Sequence, residues 1–271
     1  MWLTEIAAET VSLPTEENLM TVNPFDLTGR TALVTGGARG LGRGMTAGLL
    51  AAGADVITLQ RGGVPDDLVE HATTLGRSVT PVQLDLGEPD RIADLIPDLV
   101  ARRHVDILIN NAGVQYREDA VDFDLEQFDR VLSINMRAAF QLSQLVARPM
   151  LERGYGKIIN IASMVSYSGG YRVPAYAASK GAIAQLTKAC CNEWAGRGVN
   201  VNAIAPGYMD TEMNEALVAD AHRNAEITAR IPAGRWGTPD DLAGTAVFLA
   251  SSAADYLHGT IIPVDGGWLA R

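Results

Sequence analysis

The chain has 271 residues, 47% of them apolar and 20% charged, a balance that fits a globular domain and excludes a disordered, fibrous or disulfide-scaffold chain. A chain this long buries roughly 70% or more of the surface it exposes when unfolded, so a single large α/β domain needs no covalent staples. Its formal charge of −10, with 22 basic residues scattered along the sequence, argues against a nucleic acid or an anionic membrane as partner.

Residues 1–24 read as an N-terminal extension with a short helix over Leu3–Val11, and 25–271 as one dinucleotide-binding catalytic domain. The extension has no Lys or Arg and no continuous apolar run, so it lacks the parts of a signal peptide. No later run is long and apolar enough to span a bilayer. Cys190 and Cys191 are the only cysteines and are adjacent. That suits neither a metal site nor a disulfide between distant segments, and they read as core thiols of a reducing compartment. A cytoplasmic location and no metal are expected.

From Thr31 onward, short apolar runs alternate with longer periodic segments, the pattern of βα units stacked into a parallel sheet. The first strand, Thr31–Thr35, runs straight into Thr35-Gly36-Gly37-Ala38-Arg39-Gly40-Leu41-Gly42, and a helix over Leu41–Ala52 follows. Glycine lets the backbone turn tightly and approach a pyrophosphate, whose charge then meets free amides at the helix N-terminus. An ordinary strand-to-helix turn is the bland alternative; a Walker loop is excluded because no Gly-Lys-Ser/Thr follows.

The second strand, Val56–Leu59, ends in Gln60-Arg61. An acidic residue there would bind a ribose 2′-hydroxyl and repel a 2′-phosphate. Its absence, with Arg39 and Arg61 as two guanidiniums suited to phosphate, favours NADP over NAD; solvated surface arginines are the alternative. The third strand, Val79–Leu84, leads to Asp85 and Leu86, placed against the adenine with Asp85 as acceptor for its amino group. A helix over Pro89–Arg103 and a fourth strand, Ile107–Asn110, come next, then Asn111-Ala112-Gly113 and Arg117.

A long helix is predicted over Leu125–Leu151. Asn135 inside it is a mediocre helix former whose amide bonds a carbonyl or water, or else is solvated. The fifth strand, Lys157–Ile161, is followed by Ser163, a strand-end hydroxyl that is either a substrate ligand or a turn cap. On the next helix, Tyr176–Gly196, Tyr176 and Lys180 lie four residues apart and share a face. The ammonium is expected to stabilise phenolate and lower the tyrosine pKa from about 10 toward the range a general acid/base needs. With seven tyrosines and three lysines in the chain, such a spacing is rare by chance. A sixth strand, Asn200–Ile204, leads through Pro206-Gly207 to an irregular stretch, Asp210–Arg235, long enough to be a mobile lid. A helix over Pro239–Ala250, opened by Thr238, and a seventh strand, Thr260–Val264, complete the chain. No Gly-x-Ser-x-Gly elbow occurs, which argues against a serine hydrolase.

Together Thr35-Gly36, Gly40-Leu41-Gly42, Asn110-Asn111-Ala112-Gly113, Asn135, Ser163, Tyr176, Lys180, Pro206-Gly207 and Asp265-Gly266-Gly267 resemble the short-chain dehydrogenase/reductase family from about Phe25 to the end. The resemblance implies a Rossmann-like, doubly wound parallel sheet of about seven strands in a single α/β domain, usually assembled as a homotetramer. It implies that Tyr176 exchanges a proton with the substrate oxygen, Ser163 orients that oxygen, and Lys180 holds the nicotinamide ribose. It further implies that Asn135 supports a proton-carrying water, that Asn111, Ala112 and Gly113 pack beside the adenosine, and that Pro206, Gly207 and Thr211 approach the carboxamide.

Lys157–Met164, Gly169–Pro174, Ile231–Gly237 and Asp265–Arg271 carry a closer likeness, to the 2-deoxy-D-gluconate 3-dehydrogenase and gluconate 5-dehydrogenase group. This implies a small anionic sugar acid as substrate, with NADP preferred and NAD possible as cofactor. Arg117 and Arg172 are the candidates to hold its carboxylate, with surface solvation as the alternative for each. The competing functions are an NADPH-dependent reductase of another carbonyl, such as a ketoacyl thioester or small alcohol, and a non-catalytic NADP-binding sensor.

Overall fold

Runs of Val, Ile and Leu set the strands, because a strand covered on both faces must be apolar at consecutive positions. The computed structural model describes residues 23–271; the predicted helix over Leu3–Val11 lies outside them. Seven strands are present: β1 Thr31–Thr35, β2 Asp55–Gln60, β3 Val79–Gln83, β4 Ile107–Asn110, β5 Gly156–Ile161, β6 Val199–Pro206 and β7 Ile261–Val264. All pair in parallel, in the order β3-β2-β1-β4-β5-β6-β7.

The helices are α1 Gly40–Ala51, α2 Asp66–Thr74, α3 Pro89–Arg102, α4 Leu125–Leu132, α5 Ala138–Arg153, α6 Pro174–Trp194, α7 Glu215–Ala219, α8 Ala221–Arg230 and α9 Ala243–Ala250. Alternate strand residues feed two cores, as the period of two requires. Ala32 and Val34 of β1 pack with Met45 and Leu49 of α1 and Leu249 of α9. Leu33 between them packs with Ile92 and Ile96 of α3 and Leu142 and Val146 of α5. The expected single-domain, doubly wound α/β sheet is thus present.

Three expectations are corrected. The helix predicted over Leu125–Leu151 is two helices joined by a π turn, Ser133–Arg137. The stretch Asp210–Arg235 is not irregular but holds α7 and α8. The predicted helix at Pro239 opens as a 3₁₀ turn, Pro239–Leu242, before α9, with the Thr238 N–H donating to the Asp241 carboxylate at 2.7 Å. Cys190 and Cys191 are free and buried, as read from the sequence.

β1 pairs with β2 on one side and β4 on the other. The crossovers reverse direction there, and the crevice beyond the carboxyl ends of these strands is where open α/β sheets bind ligands. Asn23 and Pro24 are already tied to this domain, since the Pro24 carbonyl accepts from Ala253 N–H and Ser252 Oγ.

Candidate active site

The turn after β1 is held from the β4 side. Thr35 Oγ1 accepts from the N–H groups of Asn111 and Ala112, each at 2.9 Å, and Asn111 Nδ2 donates to the Thr35 carbonyl at 2.9 Å. Gly36 has φ +64°, a conformation that glycine adopts without strain. A methyl group on Gly42 would stand 2.1 Å from the Gly36 carbonyl oxygen, so α1 approaches the turn as closely as it does only because glycine is there. The first turn of α1 has no side-chain cap, which leaves its amides available to an anion.

Arg39 precedes α1 in extended conformation, and its guanidinium pairs with Glu212 at 3.0 Å. Gln60 closes β2 with both amide heteroatoms buried and unpartnered, and Arg61 beside it is exposed. Asp85 is half-buried and accepts from the Gly87 N–H at 2.8 Å, while Leu86 is buried.

Tyr176 and Lys180 occupy consecutive turns of α6, and Lys180 Nζ lies 5.7 Å from the Tyr176 ring centroid. Ser163, at the end of β5, places its hydroxyl close enough to the Tyr176 hydroxyl to favour the phenolate. Burial pushes the phenol above its ordinary value, opposed by the Ser163 hydroxyl and then by the Arg117 charge. Lys180 is buried on the same helix face as the phenol. Its Nζ donates to the Ile161 carbonyl at 2.6 Å, and burial lowers its pKa from 10.5 to about 8.

Asn135 sits in the π turn and is only 2% exposed, so it is not a solvated surface residue. Its Oδ1 accepts from Val114 N–H at 2.8 Å, and its Nδ2 donates to the Val114 carbonyl and to Ser179 Oγ. It fastens the loop after β4 to α6.

Arg117, in that loop, is exposed by its surface area, yet neighbouring atoms displace enough water to lower its pKa, and it lies within electrostatic reach of Tyr208, Arg223, Tyr176 and Arg172. No carboxylate pairs with it among the described residues. Arg172 is paired with Asp119 at 2.9 Å and adopts φ +59°, and its carbonyl accepts from the Glu118 N–H. Its side chain and backbone thus brace the Arg117 loop. Gly207 fits against Asp265, where a methyl group would stand 2.6 Å from Cα. Pro206 ends β6, and Thr211 precedes the short 3₁₀ turn Glu212–Asn214.

Sequence reading missed three contributors. Ser166 Oγ donates to the Lys180 carbonyl and accepts from Ser163 N–H, locking the two segments together. Tyr208 lies edge-on to Trp236 and Trp268, with centroids 5.3 and 4.8 Å apart. Arg223 stands one turn before Ile227, the buried residue of α8; that spacing was the available signal.

The family model described as Enoyl-(Acyl carrier protein) reductase matches residues 36–269. The 2-dehydro-3-deoxy-D-gluconate 5-dehydrogenase of Bacillus subtilis (strain 168) is 50% identical over 247 residues, covering 91% of this chain and 97% of that protein. The chain belongs to the short-chain dehydrogenase/reductase family. As a member it is a nicotinamide-dependent oxidoreductase acting on CH–OH groups.

Two solved structures of the family align closely. One, from Beutenbergia cavernae with NADP bound at low occupancy, has a TM-score of 0.89 and 49% identity over 92% of this chain and all of that one. The other is a gluconate 5-dehydrogenase from Burkholderia cenocepacia J2315 in complex with NADP and tartrate. It has a TM-score of 0.86 and 39% identity over 92% of this chain and 98% of that one. Among the described residues no helix is long and apolar enough to cross a membrane, and no His/Cys/Asp/Glu cluster could hold a metal ion.

Proposed function

We propose that this dehydrogenase interconverts a secondary hydroxyl and a ketone on a short sugar acid of the gluconate or 3-deoxy-gluconate type, preferring NADP, with Tyr176 as the proton-transferring residue. The observation that carries the substrate class is the exposed Arg117 guanidinium, within electrostatic reach of the Tyr176 phenol and without a carboxylate partner among the described residues. In a chain of charge −10, a cation within electrostatic reach of the acid/base is a local seat for a carboxylate, because distant charges are screened beyond roughly 8 Å. Arg172 supports it through the Arg117 loop.

The cofactor reading rests on fit. The close glycine turn, the uncapped α1, the unpartnered Gln60 amide and the Arg39 and Arg61 guanidiniums suit a dinucleotide with a 2′-phosphate. Gly40, Leu41, Asp85, Leu86, Asn111, Ala112, Gly113, Pro206, Gly207 and Thr211 line the groove of the same proposal. Once bound, the nicotinamide takes or gives the hydride. The chain's own residues manage the other atoms. Ser163 and Tyr176 present two oxygens to the substrate oxygen; Tyr176 takes the proton as phenolate on oxidation and gives it back as phenol on reduction. Lys180 provides a buried ammonium beside the phenol, within reach of the ribose. Both amide hydrogens of Asn135 are occupied, so any link it makes to a water runs through its remaining acceptor capacity or its main-chain carbonyl.

The test is nicotinamide oxidation with 5-keto-gluconate and its 3-deoxy diketo analogue, each with NADPH and NADH. Saturable turnover with NADPH is expected. The Tyr176→Phe variant should lose at least about a hundredfold in kcat, the scale of general acid/base catalysis, while still binding NADPH. A preference for NADH would overturn the cofactor reading alone. Turnover only with ketoacyl thioesters or small ketones would overturn the sugar acid. The homotetramer and cytoplasmic location implied by the resemblance belong to the same proposal, the first checked by light scattering.

A further inference from the structure

The sequence assigns Arg39 to the cofactor, yet the structure pairs it with a residue 173 positions away. Glu212 opens the 3₁₀ turn Glu212–Asn214, which leads into α7 and α8, and its carboxylate meets Arg39 Nη1 at 3.0 Å. The bridge therefore joins the glycine turn on one side of the nucleotide crevice to the α7–α8 segment on the other. Both side chains are more than two-thirds exposed, at 71% and 73%, so the pair is held loosely and opens easily. Arg61, the second guanidinium of the expected phosphate site, has no carboxylate partner among the described residues.

We infer that Glu212 is a cofactor-selectivity residue: its carboxylate competes with the 2′-phosphate of NADP for Arg39. The inference rests on the NADP reading above. A phosphate carries more charge than a carboxylate and matches the guanidinium fork equally well. On binding, it displaces Glu212, releases the α7–α8 segment from the glycine turn, and leaves a carboxylate nearby to repel it. NAD, with a neutral 2′-hydroxyl, neither gains from Arg39 nor loses to Glu212. The bridge therefore narrows the advantage that Arg39 and Arg61 give NADP, and makes entry of the phosphorylated cofactor the event that unties the segment.

The test is direct binding, without substrate. Dissociation constants for NADPH and NADH are measured by nicotinamide fluorescence for the wild type, Glu212→Gln, Arg39→Gln and the double variant. Glu212→Gln is expected to tighten NADPH by roughly two- to fivefold, the range set by an exposed ion pair, and to leave NADH unchanged. Arg39→Gln should weaken NADPH and, in the double variant, abolish the effect of Glu212→Gln. Equal shifts for both cofactors, no shift, or a Glu212→Gln effect that survives the loss of Arg39 would overturn the inference. If Arg39→Gln leaves NADPH binding untouched, the Arg39 phosphate site fails as well, and the two failures are thereby told apart.

Discussion

Tyr176 and Lys180 share one face of α6, and burial acts on both. Four residues on a helix guarantee proximity, but Lys180 is buried and bonded to a carbonyl, so desolvation governs its charge. Its folded pKa of about 8 lies below the ordinary 10.5. The folded state therefore releases the lysine proton before the unfolded state does, and stability rises with pH between about 8 and 10.5. Below pH 8 the full cost of the buried ammonium is present. At about 1.4 kcal/mol per pH unit, that interval of about 2.5 units sets it at no more than about 3.5 kcal/mol. The lost hydrogen bond to Ile161 offsets about 1–2 kcal/mol of any relief. Lys180→Met should therefore be more stable than wild type by about 1–2 kcal/mol in urea denaturation at pH 7, with the advantage gone by pH 10. A variant less stable at pH 7, or an advantage independent of pH, would contradict this. Ser163, Tyr176 and Lys180 were legible because their spacing and strand-end placement are local; Arg117 and Arg172 were legible as candidates, but the pairing of Arg172 with Asp119 was not, because it depends on how a loop folds back.

Among the elements, the seven strands were readable within one or two residues, since consecutive apolar runs have no other use in a buried parallel sheet. The segment after β6 was not. α8 buries only Ile227, and its order comes from outside: the Trp236 indole donates to Asn224 at 2.9 Å and Thr228 at 3.1 Å, and Arg271 donates to the Ala229 carbonyl. The π turn was hidden for a related reason. It follows from Asn135 reaching across to Val114 and Ser179, a tertiary demand that hydrophobic periodicity does not record. Asn135→Ala tests that demand. It leaves the Val114 N–H and carbonyl without their partner in a part-buried site, at about 1–3 kcal/mol. Because the Arg117 loop and α6 lose their fastening, KM for the substrate should rise together with the fall in unfolding free energy. A destabilised protein with unaltered KM would show that Asn135 supports the helix and not the site.

The whole molecule divides its polar residues between the two ends of the sheet. The carboxyl ends carry the glycine turn, Ser163 and the Arg117 loop. At the amino ends, Asp106 is only 2% exposed and takes hydrogen bonds from Thr31 N–H and Arg30. Beside it, Lys157 is 1% exposed and donates to Asp255 at 2.6 Å and to Asn200 at 3.1 Å. Asn200 in turn donates to the carbonyls of Ala254, Asp255 and Leu257. This second cluster ties the starts of β5 and β6 to the loop after α9 and so helps hold their register. Chemistry at one end and fastening at the other should respond to mutation independently, because the sites share no partner. Lys157→Ala removes the ammonium and its packing and leaves the Asn200 oxygen without a donor, while Asp255 remains accessible to water. About 2–4 kcal/mol of stability should be lost, read as a fall of several degrees in Tm. Below that Tm, kcat, KM and the dissociation constant for NADPH should equal those of the wild type. A change in kcat at full folding would mean that the amino ends of the strands set the geometry of Ser163 and Tyr176, and that the two ends are coupled through β5.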